Sequence, residues 1–328
     1  MTGIAVFGAG RIGRIHASNL HHHADAQVLH VVDVVEAAAA ELAASCGARV
    51  STVEEALADP AVGAVIIASS TDTHADLVTA SARAGKAIFC EKPLDLNIDT
   101  ARASVEEVEK SGVVLCVGFN RRHDPSFDKL KSEISSGAIG NVEVVTIISR
   151  DPTPPPAEYV GRSGGLFRDM MIHDLDIARW LLGEEPVRVF ASGSVLVDPD
   201  IGKAGDVDTA VVVLETASGR LCHITNSRRC SYGYDQRIEV FGSEGMVRAG
   251  NATETRVEIA NASGFQSEPA LPFFLERYAD AYRLQLDKFL RCIGGEAIQL
   301  PAGQDGLRAL EIADAAQRSA DEGVPINL

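Results

Sequence analysis

The sequence has no run of basic residues, no C-x-x-C pair, and no apolar stretch near the roughly 20 residues needed to span a bilayer. With a formal net charge of −16 and a pI of about 5.0, the missing basic run argues against nucleic acid and anionic membranes, whose phosphates an acidic surface repels. The six cysteines (Cys46, Cys90, Cys116, Cys222, Cys230 and Cys292) are scattered, and they read as reduced core thiols of a cytoplasmic protein. The sequons at Asn251 and Asn261 are then chance matches. No signal peptide is expected. The apolar stretch 4–9 is short, no basic segment precedes it, and a glycine loop follows at once. Internal repeats are absent, and the alanine run 37–40 is the sole low-complexity feature.

What is present suffices for two domains, each with its own core: 328 residues, 46% of them hydrophobic. The first 120 residues alternate short β-rich runs (4–7, 28–32, 64–68, 87–90 and 113–117) with helical stretches (36–46, 73–84 and 99–110). The strand runs are continuously apolar, as in parallel strands covered on both faces. The helical stretches stop at or near Gly47, Gly85 and Gly112, which suit helix C-caps. Ser51-Thr-Val-Glu54 reads as a capping box. The alternation predicts a doubly wound α/β domain over 1–120.

Beyond residue 120 the pattern changes. A helix (125–136) leads to a strand (142–149), a proline-rich loop (151–157) and a helix (167–182) closed by Gly183. Strand runs then follow one another at 187–196, 209–216, 220–226, 236–241, 246–248 and 255–259. Such succession without helices predicts a large, mostly antiparallel or mixed open sheet in a second domain, 121–328. Helices at 273–293 and 303–322 end the chain, and the last is a candidate to pack on the first domain.

Gly8-Ala-Gly10-Arg11-Ile12-Gly13 is a G-x-G-x-x-G loop placed after the first strand and opening a helix. Its glycines permit a tight turn, backbone approach to a pyrophosphate, and close helix–strand packing. The helix N-terminus offers unpaired N–H groups to phosphate. Asp33 ends the second strand about 20 residues on, where a carboxylate binds ribose hydroxyls. That carboxylate repels a 2′-phosphate, and Val34 follows instead of a residue that could hold one, so the expected cofactor is NAD, not NADP. Ser69, Thr71, His74, Glu91 and Lys92 complete the candidate cofactor set.

Glu91-Lys92-Pro93 follows the strand run 87–90, so Lys92 faces the crevice where such sheets bind ligands; the alternative is a surface lysine in a turn. In Gly164-Gly-Leu-Phe-Arg-Asp169-Met-Met-Ile-His173, the acid and imidazole are four apart and share a face if the stretch is helical. The carboxylate can then orient the imidazole as a general base. A metal pair or a surface ion pair fits the spacing as well, but no third ligand presents itself. Gly118-Phe-Asn120-Arg121-Arg122-His123, at the domain junction, could bind hydroxyl groups or form interface salt bridges. His21, His22 and His23 fall at a helix end, where cations are comfortable.

Together the glycine loop, Glu91-Lys92-Pro93, Val117-Gly-Phe-Asn-Arg-Arg122, Asp169-x-x-x-His173 and Tyr234-Asp-Gln-Arg237 resemble the glucose–fructose oxidoreductase / inositol dehydrogenase / rhizopine catabolism family over essentially the whole chain. Tyr232–Arg237 and Glu276–Arg283 resemble its inositol-oxidising members most. The resemblance implies Lys92, Asp169 and His173 as the catalytic set. Lys92 would bond the reacting oxygen, His173 would take the proton, and Asp169 would hold His173 in place. It also implies a cis bond before Pro93, and polyol contacts from Lys92, Asn120, Arg121, Asp151, Asp169, His173 and Tyr234. Asn120 stands where some relatives carry methionine, and Asp151 lies in a variable loop. The implied activity is NAD-dependent oxidation of a secondary hydroxyl of a cyclic polyol, foremost myo-inositol to 2-keto-myo-inositol, in a homotetramer or dimer of inositol catabolism without metal. The alternatives are another inositol isomer, aldose or anhydrosugar as substrate, a redox-neutral NAD-dependent glycosidase, and a non-catalytic NAD-binding regulator.

Overall fold

A computed structural model describes residues 1–328, apart from the side chain of residue 157. The chain forms two compact units, one of Met1–His123 with Ala281–Leu310, the other of Asp124–Asp280 with Glu311–Leu328.

In the first unit, strands β1 (Thr2–Phe7), β2 (Ala26–Val32), β3 (Arg49–Val50), β4 (Val62–Ile67), β5 (Ala87–Cys90) and β6 (Leu115–Val117) form one sheet. All its neighbours are parallel, in the order β3-β2-β1-β4-β5-β6. Order reverses between β1 and β4, and the carboxyl ends there open the crevice where doubly wound sheets take ligands. Helices α1 (Arg11–His21), α2 (Glu36–Cys46), α3 (Val53–Ala58), α4 (His74–Arg83) and α5 (Ile98–Ser111) connect the strands. Gly47 and Gly112 cap α2 and α5 in the left-handed conformation, which costs glycine nothing because it has no Cβ. Ile4, Val6, Ile66 and Phe89 are fully buried in the core with Leu286 and Phe289.

The capping box lies one residue later than expected. Thr52 caps α3, accepting from Glu55 N (3.2 Å) while Glu55 accepts from Thr52 N (3.0 Å). The Ser51 hydroxyl is engaged elsewhere, 2.7 Å from Nδ1 of buried His30, whose Nε2 meets Asp59 at 3.0 Å.

The second unit begins with α6 (Pro125–Ser135), β7 (Val142–Arg150) and α7 (Ala157–Ser163). The proline-rich loop therefore runs into a short helix that the sequence reading missed, capped by Gly164 at φ +86°. A π-helical turn, Leu166–Met170, precedes α8 (Ile172–Leu182), so the expected helix over 167–182 is not one continuous α-helix. Strand β8 (Pro186–Ser194), helix α9 (Pro199–Lys203) and strands β9 (Thr209–Thr216), β10 (Leu221–Ser227), β11 (Asp235–Gly242) and β12 (Gly245–Ala249) follow. The expected strand at 255–259 is instead half of a separate hairpin, β13 (Glu258–Asn261) with β14 (Gly264–Ser267). The helix expected over 273–293 is broken at Tyr278 into α10 (Phe274–Arg277) and α11 (Ala279–Ile293). Helix α12 (Gly303–Glu322) and β15 (Ile326–Asn327) close the chain.

The large sheet has the order β12-β11-β7-β10-β9-β8-β15. Only β7 and β10 run parallel, which makes it mixed but mostly antiparallel. Its strands alternate buried and exposed residues, as a sheet covered on one face must. Among the described residues, no helix is long and apolar enough to cross a membrane, and all six cysteines are free thiols.

Candidate active site

The nucleotide half lies in the first unit. Gly8 follows β1 at φ +106°, and a Cβ there would come within 2.4 Å of the Ala68 carbonyl oxygen. A Cβ on Gly13 would come within 1.9 Å of Gly8 O, so this glycine is what lets α1 pack against its own entry turn. Gly10 differs: an added Cβ would meet no protein atom within 4 Å. Its small size serves open space, where a phosphate needs the backbone. Gly10 is also the N-cap of α1 and offers no side-chain cap, so the first N–H groups of α1 stay available to an anion. Arg11 is exposed at this end and Ile12 half-buried. Asp33 accepts from Ala9 N at 2.6 Å through Oδ2 and from Val35 N at 2.8 Å through Oδ1, which ties the end of β2 to the glycine loop. Exposed Val34 and Val35 follow it. This donor-rich turn with a carboxylate at the next strand end fits the diphosphate and ribose of NAD.

Lys92 is half-buried just beyond β5, and the Lys92–Pro93 bond is cis. Glu91 is held by Nε2 of His16, 2.7 Å from Oε1, and His16 is fully buried on α1. The Glu91 carboxylate fills the space that a Cβ on Gly118 would need. His74 places its two ring nitrogens on backbone carbonyls, Nδ1 on Pro93 (2.8 Å) and Nε2 on Ser69 (3.1 Å). Burial pushes its pKa down, more than hydrogen bonding to the two carbonyls raises it. The Ser69 hydroxyl lies 2.6 Å from that of Thr73, in the 3₁₀ turn that Thr71 opens. Asn120 and Arg121 are buried in the turn after β6, and Asn120 Oδ1 has no hydrogen-bond partner. Arg122 donates to Asp305 at 2.8 Å.

The second unit carries the acid–imidazole pair. Asp169 sits in the π turn and His173 in the first turn of α8. Tyr159 Oη donates to Asp169 Oδ1 at 3.0 Å. The buried Arg228 guanidinium lies 3.9 Å from Asp169 Oδ2 and 3.7 Å from Asp206 Oδ2. Asp206 in turn accepts from Leu166 N, and its carboxylate occupies the place of a Cβ on Gly165. A carboxylate with a hydroxyl donor on one oxygen and a guanidinium near the other is fixed in orientation, which suits it to hold an imidazole. Half-buried Asp151 is anchored through its own N–H to Ser227 O. Tyr234 is 5% exposed, with its ring edge-on to Tyr278 at 5.9 Å. Tyr278 donates to Gln236, and Gln236 donates to Ser149. His21 ends α1 as expected, while the rings of His22 and His23 meet Ser18 O and Asp287. Among the described residues, no three His, Cys, Asp or Glu side chains form a metal-holding group.

Sequence reasoning missed His16, Tyr159, Arg228 and Asp206. His16 and Glu91 are 75 residues apart and Arg228 and Asp169 are 59 apart, so no local spacing announces either contact.

Residues 2–119 match the model of an oxidoreductase family's NAD-binding Rossmann fold, and residues 131–328 match that family's C-terminal alpha/beta domain. The chain is 50% identical over 323 residues to the inositol 2-dehydrogenase of Rhizobium meliloti, covering 98% of each. It is 48% identical to the myo-inositol 2-dehydrogenase of Thermotoga maritima, covering 99% of this chain and 98% of the other. The crystal structure of scyllo-inositol dehydrogenase from Lactobacillus casei with bound cofactor NAD(H) and scyllo-inositol superposes with a TM-score of 0.92 at 27% identity, over 100% of this chain and 99% of that one. With both halves matched in order, the chain belongs to the glucose–fructose oxidoreductase / inositol dehydrogenase / rhizopine catabolism family of NAD-dependent oxidoreductases.

Proposed function

We propose that the protein oxidises myo-inositol at C2 to 2-keto-myo-inositol with NAD. The observation that carries the reading is a lysine at the carboxyl end of β5 in a sheet whose β1 turn is built for a dinucleotide. Near-50% identity to two inositol 2-dehydrogenases along the whole chain supports the substrate.

Bound NAD supplies the hydride acceptor. The chain handles the rest. The Lys92 ammonium donates a hydrogen bond to the reacting hydroxyl oxygen and stabilises negative charge as the O–H bond breaks. His173 takes that proton, the O–H electron pair becomes the second bond of the carbonyl, and the C2 hydrogen departs with its bonding pair as hydride to the acceptor. Asp169 holds the imidazole, steadied by Tyr159 and Arg228. Asn120, Arg121, Asp151 and Tyr234 are candidates to bind the remaining hydroxyls. Asn120 is the best placed by chemistry, since its buried Oδ1 is an acceptor in want of a donor.

Single-turnover and steady-state kinetics test these roles. Lys92→Ala should lower turnover with myo-inositol roughly 100-fold or more. His173→Ala should remove the proton-acceptor limb from the pH–rate profile. Turnover near that of the parent in the lysine variant, or an unchanged limb in the histidine variant, removes that residue from the mechanism.

Two coarser features extend the reading. Phe190, Val213, Leu221, Phe241 and Met246 are exposed on one face of the large sheet, where cross-strand pairing puts them together, and this apolar face is where we place assembly into a dimer or tetramer. Six free thiols, five of them buried, suit the reducing cytoplasm.

A further inference from the structure

The two residues that flank Lys92 in the chain, Glu91 and Pro93, are each held by a buried imidazole. His16, from the nucleotide-binding helix α1, grips Glu91 through Nε2 at 2.7 Å. His74, the first residue of α4, grips the Pro93 carbonyl through Nδ1 at 2.8 Å. Both rings are almost wholly inaccessible, at 0% and 2% exposure. His16 is wedged edge-on between Phe89 (5.0 Å) and Tyr282 (5.8 Å), and its Nδ1 has no partner. A histidine that leaves one nitrogen unsatisfied in a core is a poor choice for packing alone. Its cost needs a compensating role, and the one polar contact it makes is with Glu91. His74 meets two carbonyls, and a neutral imidazole has one N–H; the shorter contact assigns that hydrogen to Nδ1 and therefore to Pro93. With that hydrogen committed to Pro93 and Nε2 facing the Ser69 carbonyl, the ring has no donor left for a nucleotide.

We propose that His16 and His74 are positioning residues that fix Lys92 from both sides, His16 through the Glu91 carboxylate and His74 through the Pro93 carbonyl, and that His74 does not contact the dinucleotide. The inference rests on the reading of Lys92 as the ligand of the reacting hydroxyl. Its physical basis is the sensitivity of a reacting geometry to small displacements. A misplacement of about 1 Å can cost on the order of 100-fold in rate.

Amide side chains provide a test that packing cannot imitate. The Asn amide nitrogen takes the place of Nδ1, and the Gln amide nitrogen takes the place of Nε2. At position 74 the bond that matters is from Nδ1, so His74→Asn should keep turnover within a few-fold of the parent while His74→Gln loses roughly 10- to 100-fold. At position 16 the preference reverses: His16→Gln should keep turnover and His16→Asn should lose it. Calorimetric NAD titration should give a Kd within about 1.5-fold of the parent for all four, whereas a lost direct hydrogen bond would weaken binding roughly 2- to 12-fold. A packing role predicts Gln better than Asn at both sites, because Gln is closer in volume to histidine; that pattern overturns the proposal. So does an NAD affinity that falls in step with turnover in the position-74 variants. If one variant fails to fold, the pair at the other position still decides. Lys92→Ala in the same assay separates the two failures. A fully active Lys92→Ala sinks the reading of Lys92, whereas an inactive one with no crossed Asn/Gln preference sinks the positioning of Lys92 by histidines.

Discussion

His123 is buried with neither ring nitrogen partnered, and burial, with Lys288 and Arg122 adding to it, pushes its pKa down to about 3. The ordinary value for histidine is about 6.5. In the folded protein the ring therefore stays neutral across the range in which the unfolded chain takes up a proton. The unfolded state binds more protons between those two values, so stability falls as pH drops below about 6.5 and goes on falling toward 3. From pH 6.5 to 5 this one residue contributes a loss of about 2 kcal/mol at most, at 1.36 kcal/mol per unit. The buried His74 shifts in the same direction. Urea midpoints at pH 7 and pH 5 should lie closer together in His123→Phe than in the parent, and an equal separation in the two proteins would show that His123 is not the titrating group. The sequence made His123 visible only as the end of a polar run. Its titration depends first on burial and then on Lys288, 165 positions away, and no pattern of spacing reveals either. Lys92 and Asp33 were legible for the opposite reason. Each is defined by its offset from a strand end that the apolar runs had already marked.

At the scale of elements, the parallel strands and the glycine-stopped helices were legible because each is a local pattern. The misreadings share a cause as well. The cap of α3 moved by one residue because Ser51 is taken by His30, a tertiary contact. The π turn at Leu166–Met170 adds a residue to the helical spacing around Asp169, while Leu166 N is held by Asp206. The glycine loop offers an experiment at this scale. Gly13→Ala forces a methyl against Gly8 O, so α1 must shift, at a cost of about 1–3 kcal/mol in stability together with weaker NAD binding. Gly10→Ala meets no protein atom, so the free protein should keep its Tm while NAD affinity falls as much or more. Thermal unfolding without cofactor, paired with NAD titration, reads the difference. A Gly10→Ala protein that binds NAD as the parent does would mean that no phosphate approaches that glycine.

The whole molecule comprises one unit built for a dinucleotide and one whose sheet leaves an apolar face bare. Phe190 pairs across strands with Val213, and Phe241 with Met246, and all four are at least 38% exposed. Patches of this kind on a protein of net charge −16 are costly to leave in water. Sedimentation velocity should find the parent as a dimer or tetramer, and Phe190→Glu with Val213→Glu should shift it toward the 34.7 kDa monomer. A parent that sediments as a monomer contradicts this assignment of the face. Composition announced a strand-rich second unit, but not which sheet face stays open, because that depends on which helices cover the other.

The central claim concerns chemistry, and initial rates of NADH formation test it most directly. NAD would be supplied with myo-inositol, scyllo-inositol, D-chiro-inositol, glucose, galactose and xylose in turn, with NADP in parallel. The account predicts that myo-inositol with NAD gives the highest kcat/KM and that the product carries its ketone at C2. No NADH from any inositol, with NAD still bound, would contradict it.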